Sequence, residues 1–325
     1  MIIVSTGCPA GVGPEVSVAA AARLGRPSLL IGDVETLRLA AKRVGVPAER
    51  LVPFTRRARK GDVQVLHVGP PLRARDRRPG EPTRQSGAAQ LAYVDVAHGL
   101  VATGVGSALV TAPVSKEAIA RSGAPGSSDF RGHTEHLAEL EGAPHVVMCF
   151  ASPGLVTSLV TTHLPLARVA RAITRQSVTR SIRALAELLH QLGRRAPHIA
   201  VCSLNPHAGE GELLGSEERT AIVPGMRAAA RSLGARVRLA GPLGAETAYR
   251  KARAGGFDGV VAMYHDQATI PLKLVAFGDA VNVTMGLRVV RTSVDHGTGY
   301  DIAWQGKADP SGMLAAMKLA LRLAS

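Results

Sequence analysis

The amino-terminal residues 1–33, MIIVSTGCPAGVGPEVSVAAAARLGRPSLLIGD, contain two short apolar runs separated by a helical segment. The two runs, residues 2–5 and 29–31, have the length and the β-branched or leucine content of buried strands. Residues 15–24 lie between them, are rich in Ala and Val, and are long enough for a crossover helix. A strand, a helix and a second strand in this order predict a parallel βαβ unit.

The same alternation of short strand-like runs and longer helical segments continues along the chain. Further strands are predicted at residues 63–67, 108–111, 145–150, 156–161, 199–203, 237–239, 259–263 and 281–284. Further helices are predicted at residues 35–44, 85–102, 173–192, 217–233 and 310–323. This pattern indicates the α/β class, with a mostly parallel sheet.

Length and charge limit the kinds of protein that the chain can be. It has 325 residues, 46% of them hydrophobic, and a net charge of +14. These values predict a folded protein of two domains or of one large domain. The arginines are densest between Arg56 and Arg84, and residues 53–82 are expected to form irregular surface between two halves. Nucleic-acid binding requires basic residues interleaved with aromatic ones, and no aromatic residue follows Phe54 in this stretch. We therefore expect no nucleic-acid partner, whereas attraction to small anionic substrates remains open.

Cysteine usage and apolar segments indicate the compartment. The three cysteines, Cys8, Cys149 and Cys202, form no CxxC motif, which is typical of a reducing cytoplasm. The amino terminus lacks the basic region of a signal peptide. The longest uncharged stretch, residues 142–167, is interrupted by Pro144 and Pro153 and is expected to form strands. We expect a cytoplasmic protein with no membrane association.

The loop after the first strand imitates a dinucleotide-binding fingerprint. Gly7, Gly11 and Gly13 follow the strand, and Asp33 lies 20 residues beyond Gly13. The imitation is incomplete, because valine stands where the third glycine belongs and proline opens the helix. We therefore reject a standard dinucleotide site here. A tight turn with proline at the first helical position and a pocket-lining glycine loop both remain open.

Three histidines come within four residues of the ends of predicted strands: His163, His207 and His265. A single histidine after a strand is usually an ordinary loop residue. Three of them at the carboxyl ends of strands are expected to meet at one edge of the sheet, where they can bind one divalent metal ion. Their spacings of 44 and 58 residues match no local metal-binding motif, so this prediction depends on the fold.

Two basic residues occur in apolar surroundings. Lys273 lies in IPLKLVAF and Arg291 in LRVVRTS, which predicts partial burial of both cations. A buried cation needs an anionic partner, and a bound phosphate or carboxylate would supply it. Surface exposure is the alternative for both residues. Thr134 and Glu135 also fit the ordinary start of a helix.

Seven motifs identify a family. VTAPVSKEAI, FRGHTEHLAEL, THLPL, LNPHAGEGELLGSEE, GPLGAET, AMYHDQATIPLK and VNVTMGLRVVRTSVDHGT occur in this order over nearly the whole chain. They resemble the 4-hydroxythreonine-4-phosphate dehydrogenases of vitamin B6 (pyridoxine) biosynthesis. The resemblance implies two α/β/α domains with a cleft between them, as in isocitrate and isopropylmalate dehydrogenases. We place the domains at residues 1–130 with 285–325 and at residues 131–284. The resemblance also implies a homodimer with the active site at the subunit interface.

The resemblance assigns roles to individual residues, motif by motif. The metal ligands would be the three strand-end histidines, His163, His207 and His265, for Zn²⁺ or alternatively Mg²⁺ or Co²⁺. The substrate-binding residues would be His133, Thr134, Lys273, Asn282 and Arg291. Asp266 would be a catalytic residue or would support the neighbouring histidine. The implied reaction is NAD-dependent oxidation of 4-phosphooxy-L-threonine with decarboxylation to 3-amino-2-oxopropyl phosphate. The resemblance implies NAD binding without the glycine-rich fingerprint and leaves the NAD contacts unassigned.

The chain departs from the family pattern at four positions. Cys8 occupies a usually acidic position, and Glu246 a position that is usually aspartate. Arg288 and Trp304 replace a residue of a GLP motif and a common glycine, respectively. Cys8 and Glu246 bear on the pocket, so the alternative is a related dehydrogenase acting on 4-phosphoerythronate or phosphothreonate.

Two alternatives belong to other functional classes. A phosphotransacetylase-like acyltransferase would need neither the three histidines nor NAD. A non-catalytic metal-binding protein would need the histidines but not the anion-binding Lys273 and Arg291.

Overall fold

The computed structural model describes residues 1–54, 61–276 and 278–325. Part of the basic segment that begins at Arg56 therefore lies outside the described residues, as does Phe277 of IPLKLVAF. The chain divides into two compact units, residues 1–145 with 287–325 and residues 146–286.

The first unit contains a six-stranded parallel sheet. Its strands lie in the order β3, β4, β2, β1, β5, β12, and their bounds are β1 (Ile2–Ser5), β2 (Ser28–Gly32), β3 (Leu51–Pro53), β4 (Val63–His67), β5 (Ala108–Thr111) and β12 (Arg291–Val294). The unit also contains helices α1 (Gly13–Leu24), α2 (Val34–Arg43), α3 (Arg84–Ala102), α4 (Lys116–Ala120), α5 (His133–Glu141) and α11 (Ser311–Leu323). Ile3 of β1 pairs with Leu29 on one side and Leu109 on the other, and all three are fully buried. The predicted parallel βαβ unit is confirmed.

The second unit contains a mixed sheet. Its strands lie in the order β11, β6, β7, β10, β8, β9, and their bounds are β6 (Val147–Ser152), β7 (Leu155–Leu159), β8 (His198–Cys202), β9 (Arg238–Leu243), β10 (Gly259–Ala262) and β11 (Val281–Met285). The two pairings that β6 makes are antiparallel, and the remaining three are parallel. The helices of this unit are α6 (Leu166–Ala172), α7 (Arg175–Gln191), α8 (Val223–Leu233), α9 (Ala245–Arg253) and α10 (His265–Ala276).

Both faces of the second sheet are covered by helices. Along β10, Val261 packs in one apolar cluster with residues of α7 and α8, whereas Val260 packs in another with residues of α9 and α10. Alternate strand residues point to opposite faces, so a strand buried on both sides is apolar throughout. The predicted α/β class with a mostly parallel sheet is confirmed for the described residues.

Capping and burial explain the position of α7. The Thr174 hydroxyl accepts a hydrogen bond from the Ser177 backbone N–H at 3.1 Å, and the Ser177 hydroxyl accepts one from the Thr174 N–H at 2.9 Å. Ile182 and Leu185 on its inner face are fully buried. The helix predicted at 173–192 is confirmed as the single helix α7. It begins two residues later than predicted, because Ile173 ends α6 in extended geometry and Thr174 caps α7.

A buried carboxylate follows the glycine-rich first loop and holds the segment around Trp304. Glu15, fully buried in α1, accepts hydrogen bonds from the backbone N–H of Trp304 at 2.6 Å and of Gly306 at 2.8 Å. A Cβ atom at Gly13 would lie 2.5 Å from the Thr6 carbonyl oxygen, so only glycine fits there. The sequence features that imitate a dinucleotide fingerprint therefore have a packing explanation.

Asp33 likewise serves the fold. Its carboxylate caps α2 by accepting from the Thr36 N–H at 2.8 Å, and it also accepts from the Leu72 N–H at 3.2 Å. Arg77 Nη1 lies 3.3 Å from the same side chain. These contacts agree with the rejection of a standard dinucleotide site at this loop.

Some elements differ from the prediction. Strands β3 and β12 and helices α4, α6, α9 and α10 were not predicted, whereas α5 begins next to Thr134 and Glu135, where the sequence fits a helix start. Helix α5 lies in residues 131–145, which the sequence division placed in the second domain but which belong to the first unit. The physical reason is Leu137, which is fully buried in the first unit's apolar cluster. Within residues 1–54, 61–276 and 278–325, no helix combines the length and the apolar content needed to cross a bilayer.

Candidate functional site

A buried cation lies at the start of β12 in the first unit. Arg291 is 3% exposed, and its Nη2 and Nε donate to the Thr111 hydroxyl at 2.6 and 3.2 Å. Its Nη1 donates to the Thr134 hydroxyl at 3.4 Å. Burial lowers the pKa of Arg291 to about 10, and nearby Glu135 opposes this effect, so the guanidinium remains charged at neutral pH. The predicted burial of Arg291 is confirmed.

His133, the first residue of α5, is held as a neutral imidazole next to this cation. Burial lowers the pKa of His133 well below its usual value, and the charges of Arg291 and Lys116 lower it further. Its Nε2 is buried and has no hydrogen-bond partner within the described part of the chain. A buried polar atom of this kind normally requires a partner, so Nε2 is available to a ligand.

The position of α5 depends on contacts at its carboxyl end. Glu141 accepts a hydrogen bond from the Arg288 backbone N–H at 2.5 Å, three residues before Arg291. Its other oxygen lies 3.0 Å from His98 Nε2 on α3. These bonds join α5 to both α3 and the segment that leads into β12. They thereby fix where Thr134 stands relative to Arg291.

The first unit therefore brings together three of the predicted substrate-binding residues, His133, Thr134 and Arg291, and adds Thr111. Sequence reasoning missed Thr111. A signal for it existed, because it is the last residue of a predicted strand, at the carboxyl end where ligands bind in such sheets.

In the second unit, two of the three strand-end histidines are neighbours. The ring centroids of His163 and His265 are 5.5 Å apart. His163 follows β7 and His265 follows β10, and these strands are adjacent and parallel. His265 Nδ1 lies 2.8 Å from Asp266 Oδ1, an arrangement that orients the imidazole and leaves Nε2 for a ligand. The contact that Asp266 makes therefore agrees with its predicted alternative role, which is to support the neighbouring histidine.

The third histidine, His207, lies on a strained loop after β8. Four non-glycine residues of this loop have left-handed φ angles: His207 (51°), Ala208 (55°), Glu210 (43°) and Glu212 (78°). Each costs about 1–3 kcal/mol, and such strain persists only where the surroundings enforce it. Glu218 helps to hold the loop, because it accepts from the Asn205 backbone N–H at 2.8 Å and from the Asn205 side chain at 2.9 Å.

The convergence of three imidazoles is only partly seen. Over the described ranges, no three His, Cys, Asp or Glu side chains are arranged to hold a metal ion. The His163–His265 pair offers two nitrogen ligands, and the exposed His207 does not complete the group. The residues therefore fit part of a metal site, and the three-histidine centre stays a prediction.

The burial predicted for Lys273 is wrong. Lys273 is exposed, because residues 270–276 belong to helix α10 and Lys273 lies on its exposed side. The outer face of this helix is apolar, with exposed fractions of 59% for Ile270, 81% for Leu274 and 46% for Val275. An apolar sequence around Lys273 therefore does not mean an apolar environment in this chain.

The remaining predicted residues have different surroundings. Asn282 on β11 has a buried Oδ1 with no hydrogen-bond partner in the described chain, so it can accept from a ligand. Glu246 is exposed at the start of α9 and accepts from Arg250 Nε and Thr247 Oγ1, both at 2.8 Å, and these bonds lower its pKa. Its contacts are thus local to α9.

Cys8 is buried beside a tyrosine. Its Sγ lies 3.7 Å from the Tyr300 hydroxyl. Burial raises the pKa of the Cys8 thiol and also raises the pKa of Tyr300 to about 12. Both groups are neutral at pH 7, so a position that is usually acidic in the family carries no charge here.

Comparisons with known proteins agree over nearly the whole length. The family model for "Pyridoxal phosphate biosynthetic protein PdxA" matches residues 25–320. A 4-hydroxythreonine-4-phosphate dehydrogenase from Geobacter metallireducens is 42% identical, covering 99% of this chain and 95% of the relative.

Two solved structures show the same fold. A 4-hydroxythreonine-4-phosphate dehydrogenase from Klebsiella pneumoniae is 35% identical with a TM-score of 0.85, covering 100% of this chain and 99% of the other. A terephthalate 1,2-cis-dihydrodiol dehydrogenase from Burkholderia xenovorans is 32% identical with a TM-score of 0.69, covering 98% and 96%. Because the family model and these relatives match almost the entire chain, the protein belongs to the PdxA family of pyridoxal phosphate biosynthetic proteins.

Proposed function

We propose that the protein is an NAD-dependent 4-hydroxythreonine-4-phosphate dehydrogenase. It would oxidise 4-phosphooxy-L-threonine, with loss of CO2, to 3-amino-2-oxopropyl phosphate. NAD⁺ would take the hydride from the carbon that bears the hydroxyl, and the hydroxyl proton would leave separately. The names of relatives at about 42% identity support this substrate. The observation that carries the proposal is the buried cluster of Arg291, Thr134 and His133.

This cluster has the chemistry of a phosphate-binding site. The guanidinium of Arg291 is planar and held by Thr111, so two of its N–H groups are already oriented. A phosphate next to it would gain charge-assisted hydrogen bonds in a site that excludes water. The Thr134 hydroxyl and the neutral His133 imidazole would add hydrogen bonds without adding charge.

The three histidines remain our proposed metal ligands. His163 and His265 would supply two imidazoles for Zn²⁺, or for Mg²⁺ or Co²⁺, with His207 as the third. A divalent cation, when bound, acidifies a coordinated hydroxyl and polarises a ketone. Asp266 would keep the His265 imidazole in the tautomer whose Nε2 lone pair is available. Lys273 and Asn282 belong to the same unit and would contribute contacts to the substrate.

A homodimer is the proposed assembly. Large apolar side chains are exposed on three segments of the second unit: Leu164 and Leu166, Leu213 and Leu214, and Ile270, Leu274 and Val275. Exposed apolar groups of this number are typical of a surface that another chain covers. Helix α10 begins at His265 and carries Lys273, so a second copy on this helix would lie next to the proposed site.

The alternative substrates are 4-phosphoerythronate and phosphothreonate. The terephthalate dihydrodiol dehydrogenase at 32% identity is named for a different substrate, so likeness at this level does not fix the substrate. The neutral Cys8 is the feature of this chain that favours the alternative.

The test is NADH formation followed by absorbance, with NAD⁺ and each of the three phosphorylated compounds. We expect turnover with 4-phosphooxy-L-threonine, loss of activity after chelation, and recovery with added Zn²⁺, Mg²⁺ or Co²⁺. Activity with 4-phosphoerythronate or phosphothreonate alone would establish the alternative. No NADH from any of the three would overturn the proposal and favour an acyltransferase or a metal-binding protein.

A further inference from the structure

A cavity in the first unit has no role in the proposed reaction as described so far. It has a volume of about 750 Å³, within the range of small-molecule sites, and lies between α2, residues 74–79 and Trp304. The residues of its wall that matter here are Leu39, Lys42, Arg43, Arg77, Pro79 and Trp304.

The aromatic wall of this cavity is held in place. The Trp304 indole Nε1–H donates to the Pro9 carbonyl at 2.9 Å, and its backbone N–H donates to the buried Glu15 at 2.6 Å. The residue has a φ of 62°, a left-handed conformation that is rare for a bulky side chain. The indole is therefore fixed before a ligand arrives, which reduces the entropy lost on binding.

Two cations of this cavity are not neutralised by the protein. Lys42 and Arg43 are exposed at the end of α2, and no carboxylate of the described residues pairs with either. Arg77, by contrast, is already paired with Asp33 at 3.3 Å. Basic residues in the last turn of a helix offset its partial negative charge. That role explains the two cations but not the fixed aromatic ring that shares their cavity.

Arg43 also packs near the aromatic segment. A Cβ atom built on Gly306 would lie 3.6 Å from Arg43 Cδ and Cγ, so the aliphatic part of Arg43 lies close to the residues that follow Trp304. Arg43 therefore lies next to the segment that carries Trp304. Leu39 and Pro79 add apolar surface to the same cavity.

We propose that this cavity binds a nucleotide, with the base against the Trp304 indole and the phosphate on Lys42 and Arg43. An aromatic base packs favourably on an indole, and two cations match the charge of a phosphate monoester. A ligand with only an aromatic base would leave the two cations unpaired, and a ligand with only a phosphate would leave the fixed aromatic ring unused. This proposal does not depend on the activity proposed above, because binding is measured directly.

The chain contains one tryptophan, so its fluorescence reports on this cavity alone. AMP is the probe, with excitation at the long-wavelength edge of indole absorption, where adenine does not absorb. We expect saturable quenching in the intact protein and binding weakened by about 10-fold or more in the Lys42→Ala/Arg43→Ala double variant. The matched control is Arg227→Ala/Arg231→Ala, which removes two exposed cations from α8 and should bind AMP normally.

Further titrations show whether the base and the phosphate are both needed for binding, and whether the cavity belongs to the NAD site. Adenosine and inorganic phosphate should each quench far less than AMP. If saturating NAD⁺ displaces AMP, the cavity holds the adenylate half of the dinucleotide; if AMP still binds, it is a separate mononucleotide site. Absence of saturable quenching by AMP, or equal AMP affinity in the Lys42→Ala/Arg43→Ala variant, would overturn the proposal. Matching thermal denaturation of the two double variants would show that both are folded.

Discussion

Glu141 Oε1 lies 3.0 Å from His98 Nε2, and the Glu141 side chain is 1% exposed. The same carboxylate accepts from the backbone N–H groups of Arg288 and Val289, at 2.5 and 3.4 Å. One buried side chain thus connects three segments of the first unit. Its position at the end of α5 makes it the link between Thr134 and Arg291, although it touches neither.

Replacing this carboxylate should affect both stability and substrate binding. Glu141→Ala leaves two backbone N–H groups and His98 without their acceptor, which should lower the free energy of unfolding by about 3 kcal/mol. Urea denaturation measures this loss. In protein that remains folded, we expect KM for the phosphorylated substrate to rise because α5 is no longer fixed.

The matched control is Glu139→Ala, an exposed carboxylate on the same helix. It should change neither stability nor KM by more than a small amount. A Glu141→Ala protein with unchanged KM would show that the carboxylate contributes to stability but not to substrate binding.

Arg291→Lys tests whether the geometry of the cation matters beyond its charge. Lysine keeps a positive charge but cannot contact Thr111 and a phosphate with the same planar fork. We expect KM to rise by about 10- to 100-fold, corresponding to the loss of one or two charge-assisted hydrogen bonds. Arg288→Lys changes an exposed side chain three residues away and should leave KM unaltered. Equal KM values for the two variants would contradict a phosphate contact at Arg291.

His133 should make stability depend on pH. Its pKa is lowered in the folded protein, so the unfolded chain binds the proton more readily below an ordinary pKa of about 6.5. The stabilising contribution is therefore present above that pH and is lost as the pH falls. The loss of stability should therefore grow steadily as the pH falls from about 7 to about 5.

His133→Asn should flatten this part of the stability curve, as measured by urea denaturation at each pH. His190→Asn, at an exposed histidine of α7, serves as the control and should retain the slope of the unaltered protein. A His133→Asn protein with the original slope would show that His133 titrates normally in the fold.

The exposed apolar face of α10 leads to a prediction about assembly. Leu274→Glu places a charge on a side chain that is 81% exposed in the single chain, so the fold of the chain should tolerate it. If a second copy covers this face, burial of the charge should dissociate the dimer, as measured by light scattering. Val105→Glu, at an exposed apolar residue of the first unit, is the control. A Leu274→Glu protein that remains dimeric would place the interface elsewhere.

Sequence reasoning succeeded where the hydrophobic pattern is set by burial on both faces of a sheet. The bounds of β1, β4 and β5 agree with the prediction because each strand is short and rich in aliphatic residues, and a glycine or proline follows two residues after its end. The neighbouring positions of His163 and His265 follow from the same logic, since both side chains come after adjacent parallel strands. The burial of Arg291 was also predictable from its apolar neighbours.

The failures arise because local hydrophobicity does not by itself show which side chains the fold buries. Helix α10 contains Pro271 and an apolar run, so its sequence resembles a buried strand more than a surface helix. Its apolar outer face exposes Lys273 along with Leu274. The sequence shows that a helix face is hydrophobic, but it does not show whether residues of the same chain bury that face. Strand β12 was missed because its sequence, RTSV, is mostly polar although every residue is buried.

Direct metal binding is the final test of the histidine pair. Zn²⁺ should bind to the intact protein in equilibrium dialysis with a stoichiometry of about one per chain. His163→Ala and His265→Ala each remove one imidazole of the observed pair and should each lower Zn²⁺ affinity by at least about 10-fold. His207→Ala distinguishes two arrangements: an equal loss would make His207 the third ligand, and unchanged affinity would leave a site built on the pair. His190→Ala, on the exposed surface of α7, controls for weak surface binding and should have no effect. Unchanged Zn²⁺ affinity in both the His163→Ala and His265→Ala proteins would rule out the pair as metal ligands.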